Sequence, residues 1–514
     1  MAETICSCTP EVLMPNPLDR RKFFGSAAAL SLSAASYAQV RGSNERLRIG
    51  FIGCGGRAQA HLDLLNRFAG AGKPVVAVAV CDVWDGLEDE YEVDFGGKVT
   101  RRRYAQGLLP SARKCGLDPA DRTCVTKDYR VILDRPDVDA VCIATPDHWH
   151  GRMTVDALTA GKDVFVEKPL TRTPEEAIAV VDAWHHSGRV VSVGVQSMAN
   201  PVWVRAYDFL RTGGIGHVAQ GQGGVFRNDI RGQWRYYRLA RAMTAKTVDW
   251  DLFLGHRFEL AGVRLGPTPK ELPFDRAAFA QWRTLASFCS GPFSDLLTHP
   301  LTHLAAAMGV RFPARVVAGG GLYLEYDGRE VPDIGTLIAD YEEGCQLVLT
   351  GATITGYPIE EVIRGRLGAI KFIRGGFQVF RDDPTRGATF PPRLEQLPTP
   401  AETVTVDPPK NETEALWENF LDCVRSRRQS TVSPPDLAAA VVVTTAMASR
   451  SYHTGQALFW DRDRRTVTPA DATWSARWQQ RSQARGQPNQ ILGWTGGDTG
   501  STLQPPAYQQ LADS

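Results

Sequence analysis

From Leu47 onward the chain alternates between two hydrophobic periods. "LRIGFIG" is a continuous apolar run, as a strand covered on both faces requires. "CGGRAQAHLDLLNRF" behind it reads as a helix. "VVAVAVCD", "VDAVCIATP", "KDVFVEKP" and "RVVSVGVQ" repeat the strand pattern, and "HGRMTVDALTAG" and "TPEEAIAVVDAWHHSG" the helical one. Strand–helix alternation at these lengths predicts a parallel sheet with helices on both faces. The connection from Asp85 to Lys127 is long and charged, which predicts an insertion. After about Ser197 the pattern changes. "HVAQGQGGVFRN", "RVVAGGGLYLEYDG", "IGTLIADYEEGCQLVLTGAT" and "AIKFIRGGFQVFRD" read as strands joined by turns without crossover helices. That predicts a largely antiparallel sheet. "ETEALWENFLDCVRSRR" and "PPDLAAAVVVTTAMASRSYHTG" read as late helices.

The turn after the first strand carries Gly53-x-Gly55-x-x-Ala58 between a strand and a helix, the context in which this glycine pattern binds a dinucleotide. Gly53 permits the tight turn, Gly55 lets the backbone approach a pyrophosphate, and Ala58 lets helix and strand pack closely. Gly56 and Arg57 complete the turn at the helix N-terminus, whose free N–H groups suit phosphates. Asp82 closes the second strand 24 residues after Ala58, where a carboxylate can hold the adenosine ribose. Val83 and Trp84 follow it instead of an arginine. A 2′-phosphate would meet Asp82 as a like charge, so NAD is expected in preference to NADP. The expected fold class is α/β. A Rossmann dinucleotide-binding domain covers 46–197, and a C-terminal domain with a largely antiparallel sheet covers 198–462 for substrate and oligomerisation. A polar tail or arm covers 463–514.

Composition narrows the partners. The chain has 514 residues, 22% of them charged, with a net charge of +1 and no long basic run. That argues against a nucleic-acid partner, which needs a phosphate-neutralising surface. "LDRRKFFGSAAALSLSAASYAQV" has Arg20 and Arg21, then two phenylalanines, a short apolar run and a small-x-small cue ending at Ala38. It reads as a twin-arginine signal over 1–38, with a periplasmic or extracytoplasmic destination. The apolar run is too short for a stable membrane anchor. Of ten cysteines none forms a C-x-x-C pair. Only Cys115 and Cys124 are near enough in a loop-like stretch to suggest a bridge.

At "VCIATPDHWH", "VFVEKPL" and "VVSVGVQ" the sequence resembles the Gfo/Idh/MocA oxidoreductases, nicotinamide-dependent enzymes acting mostly on sugars and cyclitols, and within them a Tat-exported branch. The resemblance runs from Leu47 to about Asp461. It implies that Thr145 and Pro146 line the cofactor cleft, with His148 and His150 in the adjoining turn. It makes Glu167, Lys168 and Pro169 the EKP motif, whose lysine contacts the reacting hydroxyl beside the nicotinamide. Gln196 becomes a cofactor contact, and Asp295 with His299 the D-x-x-x-H motif. The histidine takes the proton, and the aspartate assists it or contacts substrate. Many relatives continue to a second carboxylate where this chain has Thr302 and then His303, a departure bearing on substrate choice. Arg227, Trp234 and Trp282 fall in the substrate half, where they suit sugar rings or serve as ordinary packing. Relatives pair through the outer face of the antiparallel sheet, so a homo-oligomer is expected.

"FSDLLTHPLTH" sets Asp295, His299 and His303 at steps of four, on one face of a regular helix. Three such ligands could hold a metal. The adjacent glutamate of H-E-x-x-H is missing, and Pro300 interrupts the spacing. Hydride removal needs no metal. It needs the hydroxyl proton to leave, for which a neutral imidazole is suited, and a cation near the oxygen. The expectation is a metal-free site. Lys168, Asp295 and His299 do the chemistry, and Lys168, Arg227, Asp295, His299 and His303 touch a small carbohydrate. The reaction expected is hydride transfer between a secondary alcohol carbon of a sugar, glycoside or cyclitol and a tightly held NAD. The alternative is redox-neutral glycoside hydrolysis by oxidation, elimination, hydration and re-reduction.

Overall fold

The computed structural model describes residues 46–95, 98–382 and 399–469, with 473 and 476. The expected signal segment and most of the tail from 463 lie outside the described residues. In chain order the first half runs β1 (Leu47–Ile52), α1 (Gly56–Gly70), β2 (Val75–Cys81), the hairpin β3 (Leu87–Phe95) and β4 (Lys98–Gln106), β5 (Val125–Thr126), β6 (Ala140–Ile143), α2 (Asp147–Thr159), β7 (Asp163–Glu167), α3 (Pro174–Ser187) and β8 (Val191–Gly194). Six of these strands form one parallel sheet in the order β5-β2-β1-β6-β7-β8. β6, β7 and β8 are buried along their whole length, which is why apolar residues dominate them without alternation, with Asp163 and Glu167 only at the two ends of β7 and Ser192 within β8. The helices begin where the sequence tells them to. Thr173 and Glu176 form a reciprocal capping box with Pro174 in the first turn, and Gly188 ends α3 in the left-handed region.

The second half contains α4 (Val202–Arg211), β9 (Val218–Phe226), a short ribbon of β10 (Glu259–Leu260) and β11 (Val263–Arg264), and α5 (Thr298–Met308). It continues through β12 (Arg315–Gly321), β13 (Ile334–Tyr341), β14 (Cys345–Ala352), β15 (Val362–Gly365), β16 (Gly368–Ile373), β17 (Gly376–Arg381) and β18 (Glu402–Thr405). The last elements are α6 (Glu412–Ser426), α7 (Pro435–Thr454), β19 (Leu458–Asp461) and β20 (Thr466–Pro469). Ten strands form the second sheet in the order β18-β17-β16-β15-β9-β14-β13-β12-β19-β20. Every neighbouring pair is antiparallel except β9 with β14. α5 and α7 cover its inner face.

The boundary near 197 divides the chain order but not the core. α6 returns to the first sheet, where Trp417 stacks on Phe165 of β7 at 4.3 Å between ring centroids. The segment after α6 then adds backbone bonds to β8, Val193 N–H donating to the Ser433 carbonyl at 2.9 Å. The charged connection after Asp85 proves to be the β3–β4 hairpin. Arg238 of the second half lies over Tyr91 and Tyr104 of this hairpin, 4.3 and 5.0 Å from the ring centroids. It also pairs with Asp89 at 2.5 Å. Cys115 and Cys124 are free thiols. Among the described residues no helix is long and apolar enough to cross a membrane.

Candidate active site

The glycine turn between β1 and α1 opens onto a cavity of about 410 Å³, lined by Gly53, Gly55, Asp82, Thr145, Trp149 and Arg283 among others. Gly53 sits at φ +85°, and a side chain there would meet the Ala144 and Thr145 backbone at 2.7–2.8 Å. Only glycine fits. Gly55 is different, because a methyl group there would meet nothing within 4 Å. The space belongs to whatever the helix N-terminus faces. Two polar atoms beside it, Arg57 Nη2 and Thr145 Oγ1, are buried without a partner among the described residues. A pyrophosphate and ribose would supply both with acceptors or donors. Asp82 accepts hydrogen bonds from the Cys54 N–H at 2.6 Å and the Trp84 N–H at 2.8 Å. Burial pushes its carboxyl up to about 6, against those two bonds and the charge of Lys127.

The EKP motif divides into two jobs. Glu167 faces inward, accepting from Arg57 Nε at 2.6 Å and lying 2.9 Å from His61 Nε2. Trp417 donates to His61 Nδ1 at 2.9 Å, so the imidazole proton is on Nε2 and goes to Glu167. Burial keeps His61 below its ordinary range, as a neutral donor. Burial also pushes Glu167 up, but Arg57 and His61 outweigh it and hold the carboxyl well below the usual range. Glu167 is therefore the anchor of Arg57 and sets its guanidinium at the cavity wall.

Lys168 points the other way. Its ammonium donates to Asp295 twice, at 2.8 Å to Oδ1 and 2.8 Å to the carbonyl oxygen. Arg283 Nε reaches the same Oδ1 at 3.2 Å, and Trp234 Nε1 donates to Oδ2 at 2.9 Å. Burial alone would raise the Asp295 carboxyl. Lys168, Arg283 and the Trp234 bond reverse this and hold it well below the carboxylate range. His299 lies half-buried close by and makes no hydrogen bond to a described residue. Burial, reinforced by the Lys168 charge, pulls it down to about 3, so it is neutral at physiological pH. Arg283 joins the two regions, since it lines the cavity and holds Asp295.

The three-residue helical face does not form. Asp295 sits in a π-helical turn over Pro292–Leu296, and α5 begins only at Thr298. Pro300 is in the first turn of α5, where a missing N–H costs nothing. His303 instead stacks on Trp203 at 3.9 Å and lies 3.0 Å from Glu361 and 3.2 Å from Ser197. Among the described residues no three His, Cys, Asp or Glu side chains are grouped to hold a metal.

Other expected contacts also fall elsewhere. His148 is fully buried, bonds the Phe253 carbonyl at 2.8 Å and packs on Phe288 at 4.6 Å. Burial pulls it down to about 3. His150 lies 2.7 Å from the Pro169 carbonyl and 2.9 Å from that of Thr145, so it ties the two motif turns together from behind. Gln196 folds back onto the Gly194 carbonyl at 2.7 Å, and Arg227 is exposed. None of these four lines the cavity, and neither do Lys168, Asp295 or His299, which touch its wall only through Arg283's bond to Asp295. Arg283 and the Trp234 N–H carried no motif signal, because they reach Asp295 from irregular segments 12 and 61 residues away in sequence. Asp147 lies inside the "TPDHWH" string, where nothing local marks it off from its neighbours. It is buried near Lys168 and Arg283 and pushed up to about 7 by burial, against those two charges.

A parallel sheet of this order, a glycine turn at a helix N-terminus and an acidic residue ending β2 define a nucleotide-binding Rossmann domain. Residues 47–195 match the model of the Gfo/Idh/MocA oxidoreductase family, described as an NAD-binding Rossmann fold. The chain is 27% identical over 202 residues to an α-N-acetylgalactosaminidase of Shewanella oneidensis, covering 38% of this chain and 40% of that one. It is 35% identical over 126 residues to a levoglucosan dehydrogenase of Pseudarthrobacter phenanthrenivorans, covering 24% and 31%. The matched stretches thus span well under two thirds of these curated relatives. The fold matches aldose-aldose oxidoreductase from Caulobacter crescentus at a TM-score of 0.52 and 19% identity, over 81% of this chain and all of that one. Levoglucosan dehydrogenase in complex with NADH and levoglucosan matches with a TM-score of 0.52 and 18% identity, over 83% and 99%.

Proposed function

We propose that this protein is an NAD-dependent oxidoreductase acting on a secondary alcohol of a sugar, glycoside or cyclitol. The observation that carries the reading is an ammonium, Lys168, anchored on Asp295, with a neutral imidazole, His299, within reach of its charge and without a hydrogen bond to a described residue, while Arg283 links Asp295 to the cavity wall. Gly53, Gly55, Arg57, Asp82 and Thr145 would hold the dinucleotide. A bound nicotinamide supplies the hydride acceptor. The chain's own residues handle the oxygen and its proton. An ammonium has three N–H groups, and Asp295 takes two of them, which leaves one to donate to the substrate oxygen. His299 accepts the hydroxyl proton as the carbonyl forms. Asp295, saturated by three donors and held as the anion, is not a base. It assists by fixing Lys168.

The similarity to an α-N-acetylgalactosaminidase supports a second reading, redox-neutral glycoside hydrolysis by the same first step. Lys168 tilts the choice towards net oxidation. Product analysis on a panel of glycosides with NAD-loaded protein tests this. A keto-sugar with reduced nicotinamide supports the dehydrogenase, whereas free aglycone without net redox change supports the hydrolase. The twin-arginine leader supports export, and hence a cofactor seated before the folded protein is moved and regenerated in place. A homo-oligomer through the outer face of the ten-stranded sheet belongs to the same proposal.

A further inference from the structure

Trp234 has an unusual backbone and an unusual place. It is a bulky residue at φ +65°, outside the region such residues adopt, and none of it is exposed. Strain of this kind persists only where the surroundings over-determine it, and it clusters at working sites. The indole N–H is aimed at Oδ2 of Asp295, 2.9 Å away. The χ2 torsion of an aspartate is broad and two-fold, so donors on one oxygen alone leave the carboxylate free to swing. Lys168 and Arg283 both address Oδ1. Trp234 is the donor to the other oxygen, and it selects one rotamer.

The segment behind Trp234 is braced to match. Buried Arg329 donates to the Gln233 carbonyl at 3.0 Å, and its guanidinium lies 5.7 Å from the indole. Arg329 pairs with Glu325, which accepts the Gln233 N–H at 2.6 Å through its other oxygen. Gln281, which directly precedes the Trp282–Arg283 turn, donates to the carbonyls of Arg235 and Tyr237 at 3.1 and 3.0 Å. Arg235 answers it at 2.8 Å. The two segments that supply Asp295 with its non-lysine donors are thus cross-linked to each other. A buried ionic frame is costly to assemble, and here it stands directly behind one N–H group.

We propose that Trp234 is a positioning residue for Lys168, acting through Asp295, with Gln281 joining it to Arg283. This rests on the functional reading of Lys168. The test does not need the substrate. Full-length protein with NAD present is labelled by limited acetylation with acetic anhydride, and Lys168 is compared with the other lysines by peptide mass spectrometry. Trp234→Phe keeps a buried ring and removes the N–H. The expected result is a rise of roughly ten-fold in Lys168 labelling alone, the scale of one charge-assisted hydrogen bond. Asp295→Asn raises it similarly, and adding Trp234→Phe to Asp295→Asn raises it no further. Unchanged Lys168 labelling, a uniform rise over all lysines, or additive effects in the double variant overturn the proposal. Should Trp234→Phe not fold, Gln281→Met cuts the cross-link and is held to the same three criteria. Failure of the wild type to bind NAD would overturn the dinucleotide reading instead, and leave the labelling comparison intact.

Discussion

The two glycines of the turn have opposite tolerances, and this separates folding from binding. Gly53→Ala drives a methyl group into the Ala144–Thr145 backbone at positive φ, so it should lower the melting temperature and abolish NAD binding together. Gly55→Ala meets no protein atom, so the melting temperature should hold while NAD affinity drops. Calorimetry and titration on both variants check this, and equal affinity for wild type and Gly55→Ala would remove the pyrophosphate from that space. Asp82 gives a pH signature. Its folded pKa, about 6, is raised above the unfolded value. Its contribution to stability is therefore present at acid pH and lost as the pH rises through about 6, while the ionised acceptor for a ribose is lost as the pH falls through about 6. NAD affinity should weaken on that fall in wild type and stay flat in Asp82→Asn. His299→Ala should lower turnover by roughly 10²–10⁴, the usual contribution of a proton-transferring side chain, with NAD affinity unchanged.

At the scale of elements, α6 is a structural part of the nucleotide domain although it follows the second sheet in sequence. Its Trp417 N–H fixes the His61 tautomer, and His61 fixes Glu167. Trp417→Phe should leave a buried imidazole nitrogen unpaired, at a cost of about 1–3 kcal/mol, seen as a lower melting temperature. An unchanged melting temperature would mean that the tautomer is set elsewhere. This link shows where the sequence stopped being legible. The parallel strands, the glycine turn and the place of Asp82 at the cavity could be read because their signals are local: an apolar run, a fixed spacing, a strand end. The antiparallel half was readable as a class for the same reason. The helical face of Asp295, His299 and His303 failed because a π-turn, invisible to a count of four, rotates Asp295 towards Lys168 and leaves His303 against Trp203 and Glu361. His148 and His150 look like site residues in the string "DHWH", yet burial commits both to backbone carbonyls. Arg283 has no local signal and Trp234 shows in the sequence only as an aromatic of the substrate half, since only tertiary folding brings them to Asp295.

Across the whole molecule, the cofactor cavity is a joint product of both halves. Gly53, Asp82 and Thr145 come from the first, and Tyr237, Met243 and Arg283 from the second, with Tyr104 of the β3–β4 hairpin between them. A dinucleotide seated there is enclosed from several sides, which suits a protein that would carry its cofactor through export. The central claim is that Lys168 and His299 act on a sugar hydroxyl beside that dinucleotide. Its most direct test is the near-ultraviolet absorbance of reduced nicotinamide after NAD-loaded protein is mixed with a panel of pyranosides, in wild type and in Lys168→Ala. The account predicts that absorbance grows for at least one sugar in wild type and is lost in Lys168→Ala while NAD stays bound. Absorbance that grows equally in both proteins, or in neither for any sugar despite bound NAD, would contradict it.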